Sequence, residues 1–215
     1  MGKRQVFIRL AGCRLRCRYC DTVWARRPRP GTWRMWSPGA GWRTRRNPVA
    51  ADHLTGVLER VVAAYGPVDG FAVTGGEPLE QSGFVRRLAG DVKASWPGAN
   101  ILLETNGLTP VERRVFGGRV DYVSMDCKLT ARDAPARGWE PFRHILRRSA
   151  WSPGCLKVVV TPGTRIRAAS AAARAASASA PDWTFVLQLA AGTDWRRPRA
   201  RAAVDALGRA CAAYR

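Results

Sequence analysis

Short apolar runs alternate with amphipathic helical stretches along this chain, and that alternation limits the fold more than any other feature of its 215 residues. Six runs moderately rich in β-branched residues read as strands: QVFIRL from Gln5, GFAVT from Gly70, NILLE from Asn100, DYVSMD from Asp121, CLKVVV from Cys155 and TFVLQ from Thr184. Helical patterns lie between most of them. The clearest is ADHLTGVLERVVAAYG, in which Leu54, Val57, Leu58, Val61, Val62 and Tyr65 share a face and Gly66 supplies a stop. GFVRRLAGDVKASW, EPFRHILRRSA, TRIRAASAAARAASASA and RARAAVDALGRACAAY read as further helices. Such alternation implies parallel strands joined by right-handed crossovers. The expected class is α/β, either a doubly wound sheet or an incomplete (β/α)6-type barrel, in one domain over residues 1–215.

In either architecture the working site lies at the C-terminal ends of the strands. The polar clusters fall there. The first strand runs into GCRLRCRYCDT, the second into GGEPLE, and the third ends in ETNG. The fourth ends in MDCK, the fifth reaches TP and the sixth ends at Gln188. The segment 23–51 is expected to be a long irregular insertion after the first strand. It holds four tryptophans among arginines, prolines and glycines without a helical or strand period. Its Arg and Trp suit stacking on bases or on a partner's surface; a solvated excursion with its tryptophans folded back is the competing reading.

No apolar run approaches the length of a membrane span, and the N-terminus lacks a signal-peptide core, so a soluble, cytoplasmic protein is expected. The net charge of +20 suggests a polyanion partner. Of the 36 basic residues, however, only Lys3, Lys93, Lys128 and Lys157 are lysines. A coding bias toward arginine and alanine explains the charge as well, so the charge identifies no partner.

Cys13, Cys17 and Cys20 occupy one loop, and Cys127, Cys155 and Cys211 fit buried apolar positions in a strand, a strand start and the last helix. A tight cysteine cluster in a reducing compartment points to metal or catalysis. Zinc wants four ligands, and His53 and His144 sit within helical patterns far from the cluster in sequence. Three thiolates suit three irons of a [4Fe–4S] cluster, leaving the fourth open.

The Cys-x3-Cys-x2-Cys spacing after the first strand, with TGGEPL after the second, resembles the radical S-adenosylmethionine (radical SAM) superfamily. Within it, FIRLAGCRLRCRYCDT, NPVAADHL, VTGGEPLEQ, LLETNG, DYVSMDCKL, LKVVVTP and VLQ resemble, in order, the 7-carboxy-7-deazaguanine synthases. The chain departs from that pattern at Arg14, usually Asn, at LQLAAG in place of LQP, and in having no histidine toward its C-terminal end. It also opens at MGKRQVFIRL without the E-I-F-x-S-I-Q-G-E-G segment of many members.

The resemblance implies a lyase of queuosine and deazapurine biosynthesis. It would turn 6-carboxy-5,6,7,8-tetrahydropterin into 7-carboxy-7-deazaguanine by radical ring contraction, using a [4Fe–4S] cluster, SAM and Mg2+. Cys13, Cys17 and Cys20 would hold the cluster. Tyr19, Gly75, Gly76, Glu77, Thr105, Asn106, Ser124, Lys128 and Gln188 are implied at SAM or the pocket. Thr22 is implied at magnesium and Arg9 at the substrate carboxylate. Lys128 also reads as a structural ion-pair partner, and Tyr19 as ordinary loop packing. An electron donor such as flavodoxin or ferredoxin and a homodimer are implied partners; nucleic acid is not expected as the substrate. A glycyl-radical-enzyme activase, which shares the cysteine loop and a D-x-K element, is the alternative.

Overall fold

A computed structural model describes residues 3–28, 31–130, 132–192, 194–212 and 214. The strands are β1 (Gln5–Leu10), β2 (Thr32–Ser37), β3 (Gly41–Arg46), β4 (Gly70–Gly75), β5 (Asn100–Thr105), β6 (Tyr122–Asp126), β7 (Gly154–Val160) and β8 (Thr184–Leu189). The helices are α1 (Ala51–Tyr65), α2 (Ser82–Ser95), α3 (Arg113–Phe116), α4 (Trp139–Ser149), α5 (Ile166–Ser179) and α6 (Pro198–Ala212). Six strands form one parallel sheet in the order β1-β4-β5-β6-β7-β8. The expected α/β class with six parallel strands and intervening helices is thus observed. The chain separates into two compact units, Met1–Leu15 with Thr22–Leu103 and Val115–Asp121, and Arg16–Asp21 with Glu104–Arg114 and Tyr122–Arg215.

In the first unit β4 is buried from Gly70 to Thr74, as a continuous apolar run in the middle of a parallel sheet should be. It pairs with β1 through Val6–Phe71 and Ile8–Val73, and with β5 through Phe71–Ile101 and Val73–Leu103. Helix α1 buries Leu54, Val57 and Leu58, and α2 buries Val85, Leu88, Ala89 and Val92. Gly66 ends α1 at φ +86°, a conformation costly for any side chain. Asp121 accepts from the Ile101 amide at 2.6 Å and pairs with Lys93 at 2.8 Å, joining the end of α2 to the start of β5.

The segment 23–51 departs from expectation. It is not irregular throughout: β2 and β3 form an antiparallel hairpin, with Trp36 opposite Trp42 and Trp33 opposite Arg45. A three-residue turn, Pro38-Gly39-Ala40, reverses the chain, and Gly39 and Gly41 adopt φ +72° and +63°. Trp33, Met35 and Ser37 turn one face inward, while arginine fills alternate positions that an apolar count misses.

In the second unit β6, β7 and β8 run parallel, with Asp126 opposite Lys157 and Val159 opposite Gln188. Helix α5 buries Ala168, Ala169, Ala172, Ala173, Ala175 and Ala176, small side chains that allow close packing between β7 and α6. Val160, Ala169, Ala173, Leu207 and Cys211 form a core cluster there, flanked by Phe185 and Leu187. Cys127 and Cys155 are buried too, and burial pushes the Cys127 thiol up, consistent with an inert apolar role.

Candidate active site

The first unit carries Arg9, Cys13, Thr22, Gly75, Gly76 and Glu77. Leu10 and Gly75 are in register at the C-terminal ends of β1 and β4. Beyond them the two loops bond backbone to backbone: the Gly76 amide donates to Leu10 at 2.8 Å and the Glu77 amide to Gly12 at 2.6 Å. The Gly12 amide donates to Ala25 at 2.8 Å and the Cys13 amide to Arg26 at 3.1 Å. A Cβ on Gly76 would lie 2.1 Å from the Gly12 carbonyl oxygen and 2.8 Å from that of Ala25; one on Gly75 would lie 2.3 Å from the Leu10 oxygen. These glycines are required by backbone meeting backbone, whereas the sequence suggested only close approach to a ligand.

Glu77 is buried, and its Oε1 accepts from the Leu79 amide at 2.9 Å, capping the short turn Pro78–Gln81. Two neighbours that sequence reasoning missed fix the cysteine loop. Glu80 accepts from the Arg14 amide at 2.9 Å, and Gln81 donates to the Ala11 carbonyl at 2.7 Å. The signal was the second acidic residue of GGEPLEQ. The exposed Arg14 guanidinium also lies 3.9 Å from Glu80, but the hydrogen bond is made by the Arg14 backbone, so the departure from Asn leaves it intact. Arg9 is exposed on β1; its Nη1 donates to Gly75 at 3.3 Å and its guanidinium lies 5.8 Å from the Trp24 ring. Thr22 precedes the turn Val23–Ala25, its carbonyl accepting from Ala25 at 2.8 Å.

The second unit carries Cys17, Tyr19, Cys20, Thr105, Asn106, Ser124, Lys128 and Gln188. A turn closes between the Cys20 amide and the Cys17 carbonyl at 3.3 Å. Lys128 pairs with Asp126 at 2.8 Å and lies 5.7 Å from the Tyr19 ring. Burial works to lower the Lys128 pKa, but Asp126, aided by Tyr19 and Cys17, outweighs it and leaves it raised, so the ammonium stays charged. Tyr19 is pushed up to about 12, by burial first, with Cys17 and Asp126 adding and Lys128 opposing. Lys157 reaches both Glu104 at 3.7 Å and Asp126 at 3.9 Å, a carboxylate network at the strand ends that sequence reasoning did not single out.

Thr105, Asn106 and Ser124 are buried. Asn106 accepts from the Leu108 amide at 2.9 Å, holding a tight turn after β5. Gly107 completes that turn at φ +73°, where a Cβ would lie 2.5 Å from the Asp126 carbonyl. Ser124 accepts from the Cys155 thiol at 3.5 Å. Gln188 is exposed on β8.

Cys13, Cys17 and Cys20 form no disulfide and are each partly exposed, on a loop pinned at both ends by backbone bonds. Among the described residues no group of three His, Cys, Asp or Glu side chains forms a ready-made metal cage. The donor chemistry fits an iron–sulfur cluster: the loop offers three soft thiol sulfurs, each partly exposed.

The radical SAM superfamily profile matches residues 7–151. The chain belongs to the radical SAM superfamily. Its relatives narrow the resemblance. It is 29% identical over 161 residues to a Geobacter sulfurreducens protein named 7-carboxy-7-deazaguanine synthase, covering 74% of this chain and 63% of that one. Proteins of the same name from Thermococcus kodakarensis and Archaeoglobus fulgidus are 30% and 36% identical, covering 77% and 60% of this chain and 67% and 48% of theirs. The chain therefore spans between about half and two thirds of these relatives' length. Solved enolases from Thermobispora bispora and Mycobacterium smegmatis overlap at a TM-score of 0.32 and 14% identity, too slight to bear on the fold.

Proposed function

We propose that this enzyme converts 6-carboxy-5,6,7,8-tetrahydropterin to 7-carboxy-7-deazaguanine, a ring contraction that feeds deazapurines such as queuosine. The observation that carries the reading is the run FIRLAGCRLRCRYCDT at the end of β1, whose Asp21-Thr22 after the third cysteine resembles the synthase pattern. The family resemblance implies that Cys13, Cys17 and Cys20 would hold a [4Fe–4S] cluster, and it implies roles at SAM for Gly75, Gly76 and Glu77 in the first unit and for Lys128 in the second. When bound, these two supply the one-electron chemistry that starts the reaction.

The chain's own residues bind and orient. The loop bonds from Gly12, Cys13 and Arg14 keep the first cysteine in place while a ligand arrives. Lys128, kept charged by Asp126, presents an ammonium suited to a carboxylate or a ribose oxygen. Arg9 offers a planar fork for the substrate carboxylate. The Thr22 hydroxyl is a hard oxygen donor suited to Mg2+. Cysteines outside disulfides suit the cytoplasm, where flavodoxin- or ferredoxin-type donors would supply electrons. Among the described residues no helix is long and apolar enough to cross a membrane.

The test is anaerobic reconstitution with iron and sulfide, then SAM, Mg2+, a reductant and the pterin, with mass spectrometry for 5′-deoxyadenosine and the deazapurine. Both products are expected, and Cys17→Ala should lose the iron and the brown colour. Deoxyadenosine without deazapurine would sink the substrate. An unchanged magnesium response in Thr22→Ala would remove that residue from the metal.

A further inference from the structure

The β2–β3 hairpin plays no part in the function proposed above, and its two faces differ. Trp33, Met35 and Ser37 are partly or fully buried on one face. The pairing puts Thr32, Arg34, Trp36, Trp42, Thr44 and Arg46 together on the other, and all six are exposed. Trp36 and Trp42 are opposed on one rung and are 57% and 64% exposed, against the normal burial of so large an apolar ring. The Arg34 guanidinium lies 4.9 Å from the Trp42 ring, and Arg46 closes the same face at the open end. From Thr22 to Ala51 the sequence holds seven arginines and no Asp or Glu.

We propose that this face binds single-stranded nucleic acid as a ligand distinct from the enzyme's substrate. Two solvent-facing indoles give a flat surface on which successive bases stack whatever their sequence, and neighbouring guanidiniums meet the phosphates. Rungs on one face of a strand recur about every 7 Å, a step comparable to that between phosphates in an extended strand. A groove of about 480 Å3 continues from the hairpin's open end, lined by Thr44, Arg45, Arg46 and His53 among others, and gives the strand a basic path beyond the indoles. A second copy of the chain would bring arginines against arginines. An acidic protein would satisfy the guanidiniums but leave two flat indoles without an apolar pocket of its own.

Fluorescence anisotropy with a fluorescein-labelled oligothymidylate of about a dozen nucleotides tests this on the full chain. Binding should weaken at least about tenfold in the Trp36→Ala/Trp42→Ala variant, which leaves every charge in place. The Trp36→Phe/Trp42→Phe variant should retain most of the affinity; it guards against a loss caused by an unfolded hairpin. Arg34→Gln/Arg46→Gln should flatten the slope of log K against log salt by about 1.4. If the alanine pair binds as the wild type does, attraction is diffuse charge alone and the proposal is wrong. It is equally overturned if the wild type binds no oligonucleotide at low salt, or if the indoles prove to mediate self-association or capture of an acidic protein instead.

Discussion

Gly76 decides at the residue scale whether the cysteine loop can sit where it does. Its missing Cβ leaves room for the carbonyls of Gly12 and Ala25, both backbone atoms that cannot swing aside. Gly76→Ala should cost about 3 kcal/mol, the upper end of overpacking costs, and the damage should fall on the loop that carries Cys13. Thermal unfolding would read the first effect and iron retained after reconstitution the second; a variant that keeps its stability and its iron would show the contact to be soft. The sequence displayed Gly75-Gly76 as a candidate ligand cradle, because a glycine pair looks the same whether it meets a ligand or another loop. Roles carried by backbone leave little trace in sequence. The Arg14 amide held by Glu80 is such a case, and so is the Gln81 bond to Ala11.

Elements with a clean period were legible, and those with a mixed one were not. All six sheet strands and five helices fall where apolar runs and 3.6-residue periods put them, because buried faces are written in Val, Leu and Ile. The hairpin escaped because its outward positions are Arg and Trp and its inward ones Trp, Met and Ser, which blurs polar against apolar. Its turn residues, Pro38-Gly39-Ala40-Gly41, were the available signal. Inside the hairpin, the Trp33 Nε1 is buried with no hydrogen-bond partner among the described residues. Trp33→Phe should therefore leave stability within about 1 kcal/mol of wild type or raise it, since the lost N–H was costing its desolvation. A large drop in denaturant midpoint would mean that the indole N–H is bonded after all.

The loop before α4 is tied to the start of α5 by charge. Asp133, at φ +59°, accepts from Arg165 at 2.8 Å and from Arg167 at 2.7 Å. The Arg167 bond first, then Arg165, hold its carboxyl below the usual range, with burial opposing. A lowered folded pKa gives stability that is present above the unfolded value of about 3.9 and lost as pH falls through the folded one. Asp133→Asn keeps a side chain that tolerates positive φ and removes the charge. The stability gap between wild type and variant should be flat above about pH 5 and close in acid; a gap that persists at the lowest pH would mean that the charge is not its source.

Across the whole molecule the formal charge of +20 sets two effects of salt against each other. Salt screens the repulsion among an excess of arginines, which favours the compact state, and it also weakens the ion pairs that hold loops and helix ends. The exposed pairs, such as Arg143–Glu140 at 2.7 Å and Arg197–Asp194 at 3.3 Å, contribute about 0–1 kcal/mol each. The more sheltered ones, Lys93–Asp121 and Lys128–Asp126, both at 2.8 Å, are screened less. With 36 basic residues against 16 acidic, most arginines have no acid to lose, so screening of repulsion should dominate. The Tm should rise by a few degrees between about 20 and about 300 mM sodium chloride, where the Debye length falls from roughly 20 to roughly 6 Å. Calorimetry across that range, repeated with sodium sulfate at matched ionic strength, separates screening from anion binding: equal rises indicate screening, and a larger rise in sulfate indicates anions seated on the arginines. A Tm that falls with either salt would mean that the few ion pairs outweigh the repulsion of all the unpaired charge.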